Sequence, residues 1–173
     1  MSIQEQMGSE IETTKLQYSW ILWYHDPDSK DYSLESYIKV ADVSTPQQFW
    51  SIMDSISKEA WESGMFFFMR RGFKPLWDVP ENEAGGAWSK KIEASLVHQT
   101  FIDLMVNCIA NEVLSGRKET LVGITVSHKG AFSIIKIWNT TTTVSGNTFL
   151  NSEMEHFKVG DDVTYTAHKS RSK

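Results

Sequence analysis

A tryptophan followed at once by a carboxylate, Trp77-Asp78, ends the segment Gly72-Phe73-Lys74-Pro75-Leu76. Pro75 and Pro80 flank the pair and argue for a loop or a sheet edge, because proline cannot donate to a strand ladder. An indole in a loop presents a face, and the next carboxylate lies at the edge of whatever stacks there. Such a pair suits a flat heterocycle whose edge carries N–H donors, as guanine does at N1 and N2. An ionised carboxylate accepts both bonds with charge assistance. A positively charged base such as 7-methylguanine adds a cation–π component. Stacking on one ring is worth ~1–3 kcal/mol. A loop tryptophan packed on a sheet reads the same way in sequence, so the pair alone decides nothing.

Other chemistries find less support. There is no phosphate-cradling G-x-x-x-x-G-K-[ST], no G-x-G-x-x-G, no H-E-x-x-H and no G-x-S-x-G. His25, His98, His128, His156 and His168 are scattered without metal-ligand spacing and are expected on the surface or in the tail. Asp78, Glu81 and Glu83 form an acidic cluster that a metal-dependent hydrolase could use, but nothing else supports that and a solvated loop explains them far better. The single Cys108 cannot form an internal disulfide or a cysteine zinc cluster. No catalytic residue, metal or cofactor is therefore expected.

Composition limits the partners further. The 173 residues include 7 Trp, 9 Phe and 5 Tyr, while 17 Lys+Arg against 22 Asp+Glu leave a net charge of −5. A protein that tracks many phosphates needs a basic face, and this chain as a whole lacks that balance. Any nucleic acid it holds is gripped by rings more than by phosphates. No apolar run approaches the ~18 residues of a spanning helix, the polar start does not resemble a signal peptide, and one cysteine fits a reducing compartment. Cytoplasm or nucleus is the expected location.

The elements that would position the pair can be read from periodicity. Residues 1–15 are polar and aperiodic, an expected flexible arm before a single domain over 16–173. Tyr18 to Tyr24, Tyr37 to Val43 and Met65 to Met69 read as strands, followed by Trp88 to Ala94. Thr45, Pro46 and Gln48 spell a helix start with a capping box, and Phe49, Ile52, Met53 and Ile56 make its apolar stripe. Leu96 to Leu114 is the longest helical pattern, with Gly116 as terminator. Leu121 to Val126 and Phe132 to Trp138 form a hairpin around Ser127 to Ala131. Phe149 to Phe157 is a third helix candidate and Val163 to Ala167 a last strand. The order implies an α+β fold: one antiparallel sheet, helices on one face, the other face free for a ligand.

Six stretches in this order resemble the translation initiation factor 4E family, from about Leu16 to His168. They are Trp20-Ile-Leu-Trp23-Tyr24, Thr45-Pro-Gln-Gln-Phe49-Trp50, Gly72-Phe-Lys-Pro-Leu-Trp77-Asp78, Gly85-Gly86-Ala87-Trp88, Cys108-Ile-Ala-Asn-Glu112 and Lys136-Ile137-Trp138. The short loops and small size resemble the short trypanosomatid members. The resemblance implies a cupped-hand fold: a curved antiparallel sheet, three helices on the convex back, and a slot on the concave face for the 7-methylguanosine cap of mRNA. It makes Trp77 one wall of a cap sandwich and Tyr32, where the family usually has tryptophan, the other. Asp78 takes the place of the family's guanine-reading glutamate, one methylene shorter, with Glu81 or Glu83 able to compensate. Trp138 matches the tryptophan beside the 7-methyl group. The family arginine of Gly-Gly-Arg-Trp is Ala87 here, which leaves Lys136, on the strand face of Trp138, and then Lys129 as phosphate candidates.

The resemblance also implies a second site on the convex back. There a scaffold protein of the initiation factor 4G type, or a 4E-binding protein, docks a helix. Trp50 matches the anchoring tryptophan, whereas Asp103 and Asn107 stand where the family has leucines, and Thr14-Lys15 replaces a His-Pro. The expected protein is a monomeric, non-enzymatic binder that recruits capped mRNA through a scaffold. The alternatives are an interaction module or repressor with weak cap affinity, and an acidic-loop hydrolase.

Overall fold

In the computed structural model, which describes residues 14–157 and 162–171, the strands form one curved antiparallel sheet. The expected arm lies outside the described residues except for Thr14 and Lys15. In chain order the elements are β1 (Trp20–His25), β2 (Tyr37–Val43), α1 (Pro46–Ser55), α2 (Lys58–Ser63), β3 (Met65–Arg70), β4 (Gly86–Glu93), α3 (Val97–Ile109), β5 (Leu121–His128), β6 (Phe132–Asn139) and β7 (Thr164–Ala167). Across the sheet the order is β2-β1-β3-β5-β6-β4-β7. No helix among the described residues is long and apolar enough to cross a membrane.

Period-two alternation sorts each strand between two apolar layers. Trp20, Leu22, Phe66, Phe68, Trp88, Ile124 and Ile137 join the helices' Phe49, Trp61, Phe101 and Met105 in the main core. Tyr37, Phe67, Met69, Ala87, Val122 and Trp138 point the other way and gather Trp23, Phe73, Leu76 and Trp77 on the concave face. The same alternation puts the indole of Trp23 on the concave side, and the register shift opposite Leu22 and Trp23 leaves Val40 of β2 as the extra residue of a bulge. The helices are confined to the convex side, as the sequence implied.

The start of α1 follows the sequence closely. Thr45 Oγ1 accepts from the Gln48 amide at 3.2 Å, and Gln48 Oε1 accepts from the Ser44 amide at 2.8 Å. Two expectations need correction. The third helix is α2, not Phe149 to Phe157: Ser57 Oγ caps it through the Ala60 amide at 3.2 Å, and its six residues are too few to show a stripe. It buries Trp61, whose ring lies 4.3 Å from Phe66 and 6.0 Å from Phe101. Leu150, Met154 and Phe157 mimic a helical stripe, but they are core residues of a chain of turns. That segment is pinned to its neighbours by a Leu114–Leu150 bridge and by Asn151 Nδ2 donating to the Glu112 carbonyl at 2.7 Å. Finally, α3 stops at Ile109 rather than Leu114, because Asn111 takes a left-handed φ of 56° well before Gly116.

Candidate functional site

The concave face holds a cavity of about 250 Å³. Its floor is Trp138 and Lys136 of β6, Thr125 and Ser127 of β5, Met65 and Phe67 of β3, and Tyr37 of β2; Tyr32, Pro75 and Trp77 form the rim. Alternation explains the floor, since Lys136 and Trp138 are two apart on β6 and Lys136 is registered with Thr125. Trp138 is only 4 % exposed, packed at 4.8 Å against His168, so the strand sets its ring orientation.

The Tyr32 rim is built by local hydrogen bonds. Asp31 Oδ1 accepts from the Ser33 amide at 2.9 Å, which holds the Asp31 carboxyl below its ordinary range. His25 Nε2 donates to the Asp31 carbonyl at 2.7 Å, so that nitrogen carries the proton. The Tyr32 ring then lies flat on His25, centroids 4.8 Å apart and planes within 5°, while 54 % of Tyr32 stays exposed. Tyr37 closes the other side of His25 at 4.6 Å. Burial first, then the nearby Tyr32 and Asp78, push the Tyr37 hydroxyl up to about 12, so it stays a neutral donor.

The Trp77 rim depends on a residue that no motif marked. Asn82 is 1 % exposed, and its Nδ2 donates to the Lys74 carbonyl at 2.8 Å and to the Leu76 carbonyl at 2.7 Å. The Val79 carbonyl accepts from the amides of Asn82 and Glu83, both at 2.9 Å. The loop from Lys74 to Glu83 is thereby folded on itself, with Trp77 half-buried against the concave cluster and Asp78 exposed.

Of the residues expected from sequence, Tyr32, Trp77, Trp138 and Lys136 meet at this cavity. Asp78 is not part of its lining but lies close enough to act on Tyr37. Lys129 sits exposed on the β5–β6 turn, where its amide donates to the Phe132 carbonyl, and does not line the cavity. Glu81 and Glu83 face Lys74 at 4.0 Å and Lys169 at 3.7 Å. Ala87 is fully buried in the concave layer, registered with Trp138. His25 and His168 correct the expectation of surface histidines: both are fully buried, His25 stacked on Tyr32 with its Nε2 on the Asp31 carbonyl, and His168 packed at a tilt against the Trp138 ring. Sequence reasoning also passed over Tyr37 and Asn82. Tyr37 begins a strand face that alternation could have placed, whereas nothing in sequence marks the bonds of Asn82.

On the convex face Trp50 of α1 is 51 % exposed, edge-on to the buried Phe49 at 5.0 Å. On α3, Asp103 accepts from Gln99 Nε2 at 2.7 Å, and Asn107 Nδ2 donates to the Asp103 carbonyl at 2.7 Å. Both are half-buried. Asp103, Glu155 and His156 gather within 4.8 Å, with His156 Nε2 at 3.8 Å from the Asp103 carboxylate.

A helix-backed antiparallel sheet with an aromatic cleft on its open face is a fold of the cupped-hand class. The model of the family Eukaryotic initiation factor 4E matches residues 15–173, and the chain belongs to that family. It is 26% identical over 175 residues to eukaryotic translation initiation factor 4E-2 of Schizosaccharomyces pombe, covering 94% of this chain and 70% of that protein. Against factor 4E-4 of Caenorhabditis elegans it is 30% identical over 133 residues, covering 72% of this chain and 61% of the relative. Among solved structures, C. elegans eIF4E-3 in complex with the 4E-binding protein Mextli and a cap analog superposes with a TM-score of 0.74. The identity is 19%, and the match covers 91% of this chain and 94% of that one.

Proposed function

We propose that this chain binds the 7-methylguanosine cap of mRNA in the concave cavity and brings the mRNA to the translation machinery through a protein docked on the convex face. One observation carries the reading: Tyr32, Trp77 and Trp138, from three separate segments, converge with Lys136 on one cleft. The base stacks between Tyr32 and Trp77, with the methyl group toward Trp138. Asp78 accepts from guanine N1 and N2, while Lys136 meets the triphosphate. This division of labour needs stacking and one or two lysines, which fits a chain of net charge −5. The groups that line the cavity are suited to orienting and stacking a base. The cap analog held by the C. elegans neighbour supports the ligand class, and Mextli on the same protein supports a partner of the 4E-binding or scaffold type. Titration of tryptophan fluorescence with 7-methyl-GTP and with GTP tests the proposal. Preferential quenching by the methylated nucleotide is expected; equal quenching by both, or none, overturns it.

A second reading, an interaction module with weak cap affinity, is favoured by Ala87. Its methyl group fills the concave layer where the family places an arginine. A 7-methyl-GTP affinity that hardly exceeds that for GTP, together with retained partner capture through Trp50, would select it.

A further inference from the structure

His25 is a buried titratable group to which the cap reading gives no task. On β1 it follows Trp23 by two positions, so its ring stands on the concave side, registered with Tyr37 of β2 and Met65 of β3. The imidazole lies parallel to the Tyr32 ring at 4.8 Å, and Tyr37 leans on it at 4.6 Å with a tilt of 51°. Nε2 is taken up by the Asp31 carbonyl at 2.7 Å. Nδ1 is closed to solvent and has no hydrogen-bond partner among the described residues. Two exposed carboxylates flank the ring in sequence. Asp26 accepts from the Asp28 amide, and Asp31 is held below its ordinary range by its bonds to Ser33 first and by His25 least. Tyr37 stays neutral through burial first, with Tyr32 and Asp78 acting in the same direction, and Met65 on β3 carries no charge.

We propose that His25 is a specificity-determining residue of the slot, acting through the charge it places behind Tyr32. The proposal rests on the cap reading, because a cationic base is what that charge opposes. A ring has two faces. His25 covers one face of Tyr32 and leaves the other for the base, in keeping with a side chain that is 54 % exposed. The phenol ring is then shared in a stack of His25, Tyr32 and 7-methylguanine. While the imidazole is neutral, the whole π cloud of Tyr32 is available to the cationic base. A second proton, at Nδ1, makes an imidazolium that draws on the same ring from behind. It also sets a like charge two ring spacings from the base, about 9 Å away. Water does not reach Nδ1 to screen it. Guanine without the 7-methyl group is neutral and meets no such repulsion. The slot therefore favours the methylated base most when His25 is neutral, and that preference declines as acid charges the ring.

The test is fluorescence titration with 7-methyl-GTP and with GTP from about pH 8 to about pH 5.5, across the ordinary histidine range. It uses the whole chain as wild type, His25→Phe and His25→Gln. Phenylalanine keeps a flat ring behind Tyr32, glutamine keeps a donor for the Asp31 carbonyl, and neither takes up a proton. Either variant serves as the reference, and a Tm above the assay temperature at each pH confirms folding. Titration of the nucleotides themselves is common to all three proteins and cancels in affinity ratios taken at one pH. As pH falls, wild type is expected to lose about 2- to 20-fold in 7-methyl-GTP affinity relative to the variant, the span for like charges ~9 Å apart between ε of 80 and 20. The same ratio for GTP stays flat. A flat ratio for 7-methyl-GTP overturns the proposal while the cap reading stands. An equal fall for both nucleotides also overturns it, because a merely structural histidine would act on both alike. Wild-type protein that does not distinguish 7-methyl-GTP from GTP at neutral pH overturns the cap reading itself.

Discussion

Replacing Asn82 with alanine separates a residue that positions the slot from one that fills the core. Its Nδ2 makes two hydrogen bonds, to the carbonyls of Lys74 and Leu76, inside the loop that carries Trp77. Each is worth ~0.5–1.5 kcal/mol net, so their joint loss costs about 1–3 kcal/mol. If that energy holds the loop closed locally, the variant spends part of its time with Trp77 away from the cavity. Cap affinity then falls by the fraction of closed loop, which bounds the loss at about 5-fold for 1 kcal/mol and ~100-fold for 3. The assay is 7-methyl-GTP titration beside thermal unfolding, with amide hydrogen exchange at Trp77 to Val79 as an independent reading of loop opening. The expected result is weakened binding, faster exchange in the loop and a small change in Tm. A Tm lowered by about 2–4 °C per kcal/mol, with cap affinity unchanged, would refute the reasoning and make Asn82 an ordinary buried polar residue.

Other expectations follow from neighbouring parts of the molecule. Trp77→Ala and Tyr32→Ala should each cost ~1–3 kcal/mol of cap affinity, and the Tyr32 variant little stability, because that ring is 54 % exposed; fluorescence titration and unfolding measure both. Trp50→Ala should lose ~2 kcal/mol or more of partner binding with 7-methyl-GTP affinity unchanged, as read by pull-down and titration in parallel. Trp61→Ala should destabilise by about 3–5 kcal/mol in denaturant unfolding, because the indole is 2 % exposed between Phe66 and Phe101. The phenol of Tyr37 is an acid whose folded pKa is raised from 10.0 to about 12. Its contribution to stability is therefore complete below pH 10 and is lost as pH rises through 12, and Tyr37→Phe should remove that alkaline limb in unfolding curves.

The strands and α1 were legible because their signals are local. The bounds of β2, Tyr37 to Val43, agree with the sequence reading, although a bulge at Val40 breaks its alternation and sends Tyr37 and Val43 to opposite faces. The Thr45–Gln48 capping box is a property of four consecutive residues. The Leu150, Met154 and Phe157 stripe misled for the opposite reason. Helical spacing reports which residues are buried, and a bridge to Leu114 buries the same residues without a helix. α2 escaped because six residues with one buried side chain carry no period.

The amino-acid sequence by itself determined the family and the sidedness of the sheet, since motif order and period two are written along the chain, and it singled out the rings that meet at the concave cavity. It also determined the net charge of −5, because net charge needs no fold. Only the tertiary structure decided that Tyr32 rests on His25, that Asn82 closes the Trp77 loop, and that Lys136 lines the slot while Lys129 does not. Each of those facts depends on a contact between segments whose separation in sequence carries no code, or on how far one side chain reaches from a turn. His25 shows the same division. Sequence lists it among scattered histidines, and the stack that buries it between Tyr32 and Tyr37 exists only once β1 has paired with β2.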